Sequence, residues 1–188
     1  GLNIVNPNLV TAFNENGGNR TALSYIAFGD DAELIDPDTG LPAPENAEVA
    51  KFLPDGTDFT NPDFPYGTNA RLAGNDWIIL RYADVLLMHV EAIMAGTGIA
   101  NTTDALSSFN AVRNRAGLAA DADGVITQDE LLLERRVELA FENQRFFDLL
   151  RFGVADAVLS AHSAENGYSY SARDLLLPIP SREVNLSK

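Results

Sequence analysis

The 188-residue chain carries 13 Lys+Arg against 27 Asp+Glu, a formal charge of −14 with a pI near 4.3. Such a surface repels nucleic-acid phosphates and anionic lipid headgroups, so neither is an expected partner. With no cysteine, there is neither a disulfide framework nor a thiolate metal site.

Composition changes near residue 75. Residues 1–75 hold Pro7, Pro37, Pro42, Pro44, Pro54, Pro62 and Pro65, with NENGGN, DPDTG and PDGTDFTNPDFPYGTN among them, punctuation that forbids long helices. This part reads as a loop-rich segment with a short strand or turn of helix around Leu23–Phe28. A stretch of this length without regular structure marks binding loops or a segment lying on something else.

Residues 76–188 read as a helical region. In WIILRYADVLLMHVEAIMAG, Leu80, Ala83, Leu87, Val90 and Met94 recur at three-four spacing, and Gly96 closes the helix. Its apolar run is interrupted by Arg81 and Asp84 and is too short to span a bilayer. TTDALSSFNAVRNRAG supplies a Thr N-cap, inward Ala105, Phe109, Val112 and Ala116, and a closing Gly117. A third helix opens with the capping box Thr127–Glu130 and is predicted to run unbroken to Phe152, about 38 Å. A fourth follows around Val154–Ala161, and the tail LLLPIPSREV is predicted extended. Short connections make such helices antiparallel neighbours. The fold class is therefore all-α, a helical hairpin plus a long third helix, preceded by the loop-rich segment.

On the third helix Glu134, Glu138, Glu142, Arg135 and Arg145 fall in one sector hemmed by leucines. Glutamates at i, i+4 and i+8 repel one another unless partnered, and Arg81, Arg113 and Arg115 stand on the preceding helices to partner them. An interhelical ion-pair network accounts for the pattern. A glycosidase-like acid/base pair needs two carboxylates in unlike environments across a cleft, which one arginine-rich face does not supply.

No catalytic motif emerges. The loop ADADGVITQDEL has an EF-hand cadence, but Ala119 stands where the first acid ligand belongs. His89-Val-Glu91 has no cysteines to complete a deaminase zinc site. No metal, cofactor or catalytic residue is expected. Phe64, Tyr66 and Trp77 beside Asn61 and Asn69 offer the aromatic faces and amides that a neutral glycan requires; the competing and more ordinary reading is that these rings tack the loops to the helical core.

The ordered blocks NDWIILRYADVLLMHVEAI, FNAVRNRAGL, ITQDELLLERRVELAFENQRFFDLLRFG and LLLPIPSREV resemble the SusD/RagB family across residues 76–180. The resemblance implies a body of tetratricopeptide-like (TPR-like) helix pairs with a looped glycan-binding face. It also implies a non-enzymatic role at the bacterial outer membrane of Bacteroidetes, capturing oligosaccharide or another nutrient beside a SusC-like TonB-dependent transporter. Family ligand residues lie on variable loops, so none is carried over. Family members are more than twice this length and carry a lipidated cysteine. The chain thus reads as a C-terminal part, with membrane attachment only through a lipid anchor that it lacks. A helical-repeat scaffold for protein partners is the rival reading.

Overall fold

A computed structural model describes residues 5–27, 47–52 and 78–186. The chain forms two compact units, residues 1–143 and 144–188. The first opens with α1 (Pro7–Asn16), where Asn6 accepts from the Asn8 amide at 2.9 Å and Pro7 occupies the first turn, a strong helix start. A 3₁₀ turn (Gly18–Arg20) leads into α2 (Thr21–Ser24) and β1 (Tyr25–Ala27), which pairs antiparallel with β2 (Ala47–Val49) in the register Tyr25↔Val49. The strand-or-turn expected at Leu23–Phe28 is both: α2 ends where β1 begins. The helix α1 was not foreseen in the loop-rich segment.

The helical hairpin is α3 (Tyr82–Met94) followed by α4 (Thr103–Arg115), and α5 (Gln128–Glu138) packs against α3. α3 buries Asp84, Leu87, Val90 and Met94. It starts six residues later than the periodicity suggested, because Arg81 is extended (φ −139°, ψ 163°), and Ile78, Ile79 and Leu80 stay exposed ahead of it. Thr102 caps α4 by accepting from the Ala105 amide at 3.2 Å. The Thr127–Glu130 capping box of α5 is formed in both directions. A two-residue antiparallel bridge, β3 (Ile99–Ala100) with β4 (Ile126–Thr127), ties the two inter-helix turns together. In the would-be calcium loop, Asp121 accepts from the Gly124 amide and Asp123 from the Val125 amide, both at 2.9 Å. Those carboxylates serve turns.

Leu87 and Val90 of α3, Phe109 and Val112 of α4, Ile126 of β4 and Leu131 of α5 are all buried. Val5, Val10, Phe13 and Tyr25 form an apolar cluster with Val137 and Ala140, so α1 is seated on α5. Gly18 makes the seating possible. Its φ is +55°, and a Cβ there would stand 2.2 Å from the Ala116 carbonyl oxygen, which accepts from the Asn19 amide at 2.8 Å. Only glycine combines that angle with that approach.

The third helical stretch is not continuous. α5 ends at Glu138, residues 139–144 turn, and helix resumes as α6 (Arg145–Arg151). Phe141 (φ 66°) and Asn143 (φ 60°) are left-handed, a conformation that no α-helix continues through. The cause lies elsewhere in the chain: Lys51 Nζ donates to the Glu138 and Ala140 carbonyls, each at 3.0 Å, and Arg81 Nη2 to the Glu138 carbonyl at 2.5 Å. Cations at a helix C-terminus are favoured by both hydrogen bonding and the macrodipole.

In the second unit, α7 (Ala155–Asn166) runs five residues beyond the expected end and stops at Gly167 (φ 70°). Its C-terminus is fastened by Ser163 Oγ donating to the Tyr168 carbonyl at 2.7 Å. The tail is extended only as far as Pro180: Ser181–Leu186 is helical, α8, because proline restricts the residue before it and not those after. Among the described residues no helix is long and apolar enough to cross a membrane.

Candidate functional site

The densest polar constellation of the described residues is built on one face of α5 and its C-terminal turn. Glu134 and Glu138 are each 2% exposed and Glu142 is 5% exposed. Arg20 Nη1 lies 2.6 Å from Glu134 and 2.8 Å from Glu138, so one guanidinium bridges successive helical turns. Arg113 reaches Glu134 at 3.3 Å and Arg115 reaches Glu138 at 2.6 Å. Arg81 pairs with Glu138 through Nη1 and donates to both Glu142 oxygens through Nε at 3.1 and 2.9 Å. Lys51 completes the group at 2.5 Å from Glu142. Beside it, Arg135 and Asp84, both buried, pair at 2.8 Å between α5 and α3.

Of the residues singled out in the sequence, the structure brings together Arg81, Arg113, Arg115, Glu134, Glu138 and Glu142. Arg145 lies past the break, as the first residue of α6 in the second unit. It is therefore not on the helix that carries Glu134 and Glu138. Three members were missed: Arg20, Lys51 and Asp84. Arg20 and Lys51 sit in the proline- and glycine-punctuated segment more than eighty residues before their partners, where no periodicity points to them. Lys51 had one signal, since it is one of only two lysines in an arginine-rich chain. Asn61, Phe64, Tyr66, Asn69 and Trp77 lie outside the described residues.

The electrostatics follow from burial. Burial alone would raise the Glu138 pKa, but hydrogen bonds from Arg81 and Arg20 and the charges of Arg81 and Arg115 hold it below the ordinary glutamate value of 4.5. Burial pushes Lys51 below the usual lysine range despite its Glu142 partner. Arg81 is raised: burial opposes its charge but is outweighed by Glu142 and Glu138. Each glutamate is thus gripped by at least two cations. A general acid needs the reverse, a carboxyl whose protonated form is favoured near neutrality. A depressed folded pKa contributes stability that is complete above the unfolded value and lost as pH falls through the folded one. Urea midpoints should therefore stay level from pH 7 to about 5 and fall below that, and Glu138→Gln should flatten the acid limb.

Among the described residues no group of three or more His, Asp or Glu is placed to hold a metal ion. The α3–α4 hairpin and α5 are locked by an internal charge cluster into a TPR-like all-α body. The SusD family model matches residues 56–188, and the chain belongs to that family. The match takes in Arg81, Arg113, Arg115 and the three glutamates, while Arg20 and Lys51 precede it. A SusD-like protein P2 of Formosa agariphila is 35% identical over 130 residues, 63% of this chain and 25% of that protein. A SusD-like protein of Bacteroides ovatus is 32% identical over 102 residues, 54% of this chain and 18% of that one. Among solved structures, a laminarin binding SusD-like protein superposes with a TM-score of 0.64 and 26% identity, covering 95% of this chain and 35% of its own. The chain therefore spans a quarter or less of those two curated relatives.

Proposed function

We propose that this chain is part of a non-catalytic surface protein that binds a neutral glycan and hands it to a TonB-dependent, SusC-like transporter in the outer membrane. The observation that carries the reading is the superposition of 95% of the chain on a laminarin binding SusD-like protein. The charge cluster supports it, because carboxylates committed to guanidinium partners leave the interior a frame and not a reacting centre. Attachment to the membrane through a lipid anchor belongs to the same reading, as the family resemblance implies.

Within it, residues 61–77 form the ligand-contacting face, with Phe64, Tyr66 and Trp77 stacking on sugar rings and Asn61 and Asn69 hydrogen-bonding hydroxyls. Calorimetric titration with laminarin and other neutral polysaccharides tests this. Heat of binding is expected for at least one. Tyr66→Ala should weaken that binding about tenfold, the loss of one stacking contact of roughly 1–1.5 kcal/mol, and leave the melting temperature nearly unchanged. No heat with any neutral glycan removes the reading. A helical scaffold for protein partners is favoured by one observation, the exposure of Ile79 and Tyr82 at 81% and 75%. It predicts capture by a protein partner with no dependence on Tyr66.

A further inference from the structure

The helix α3 is inverted: its charges point inward and its outer side is apolar. Asp84 is buried and pairs with Arg135 of α5 at 2.8 Å, and Glu91 is half-buried. Arg81, at its N-cap, is turned to Glu138 and Glu142. The residues that α3 shows to solvent are Tyr82, Val85, Met88, His89 and Ala92, with no Asp, Glu, Lys or Arg among them. At 100° per residue these five fall in one sector about 120° wide, opposite the buried Leu87, Val90 and Met94. His89, the polar member, is engaged with Ser108 Oγ of α4 at 2.9 Å. In α4 the arrangement is the ordinary one, with Asp104, Ser107, Asn114 and Arg115 exposed.

A helix that packs inward against α4 and α5 and is also apolar outward has the pattern of a helix enclosed on all sides. Helix-pair repeats stack so that each buries the face its neighbour leaves bare, and the last pair of a stack carries a polar outer face. The outer face of α3 is not polar, so α3 does not end the stack. We propose that it docks a further TPR-like helix pair of the same polypeptide, which lays an uncharged apolar face on Tyr82, Val85 and Met88. The source of that pair is argued from length and charge. The chain spans 25% of the Formosa agariphila relative and 35% of the superposed laminarin binding SusD-like protein, so proteins of this family have length to supply it. A second copy of the chain would bring another −14 to a face with no charge to receive it. The docking stands whether or not the chain binds glycan.

Because the chain has no cysteine, one introduced thiol reports on one place. In the whole gene product, with the parent as blank, Ser107→Cys on the polar side of α4 should react with a maleimide at near its rate in urea. Met88→Cys should react about tenfold more slowly, the protection given by a docked element. Equal, fast reaction at both sites overturns the proposal, as does a gene that encodes no further helix pair. In the 188-residue chain both thiols should react fast. Slow reaction of Met88→Cys there also overturns it: a slowing that grows with protein concentration assigns the face to a second copy, and one that does not assigns it to the chain itself.

Val85→Lys gives an independent readout by placing a charge on the outer face. It should lower the melting temperature of the whole gene product by several degrees and leave that of the 188-residue chain unchanged. An equal shift in both, or a shift in neither, removes the docked pair.

Discussion

Replacing Glu138 with alanine should cost about 3 kcal/mol and lower the melting temperature by about 10 °C. The carboxylate is buried and receives Arg20, Arg81 and Arg115, so its loss strands charge in an interior that cannot solvate it. Breaking a buried pair typically costs ~3–5 kcal/mol, and two facts place this site at the low end. Arg20 keeps Glu134 and Arg81 keeps Glu142, while Arg115, 59% exposed at its side chain, turns to water. Glu165→Ala, at an exposed position of α7, is the control and should change stability by less than about 0.5 kcal/mol. A Glu138→Ala protein that melts with the parent would show that the cluster contributes nothing to the fold.

Phe13→Ala should cost more, about 4 kcal/mol by urea denaturation. The ring is fully buried among Val5, Val10, Val137 and Ala140. It lies tilted against Tyr25 at 5.5 Å and stacked on Phe141 at 6.3 Å. Relaxation into the hole is blocked on one side, because Phe141 sits on a backbone held left-handed at φ 66° and does not slide inward without breaking the Lys51 and Arg81 contacts beside it. Lost docking of α1 also loosens Arg20, four residues beyond its end, so hydrogen exchange should quicken across residues 9–20 first. Phe13→Leu should recover about half the loss. A variant protected like the parent over those residues would mean that α1 is held by something other than its aromatic contacts.

The helices α3, α4 and α5 were legible because each carries its own evidence, a period-3.6 apolar face and caps at Thr102 and Thr127. The glutamate stripe announced its need for partners through like-charge repulsion, and Arg81 ahead of α3 and the arginines of α4 lay close enough in sequence to be named. What stayed hidden depends on distant chain segments. The break after Glu138 is made by Lys51 and Arg81, and ERRVELAFENQRFF contains neither glycine nor proline to mark it. Arg20 reaches α5 only because Gly18 lets the chain pass against Ala116. The start of α1 at Asn6–Pro7 was readable in principle, but the surrounding NENGGN outweighed it.

The cluster pairs five cations, Arg115 among them at the surface, with three carboxylates in a chain whose total is −14. The remainder of the chain is therefore more acidic than the total suggests, by two elementary charges. A uronate-bearing or sulfated polymer drifting toward it meets a field of its own sign, felt over about 10 Å at 0.1 M salt. An uncharged glucan crosses the same zone without penalty. On the glycan-binding reading proposed above, sorting between acidic and neutral polysaccharides begins in the solvent, before any side chain is touched.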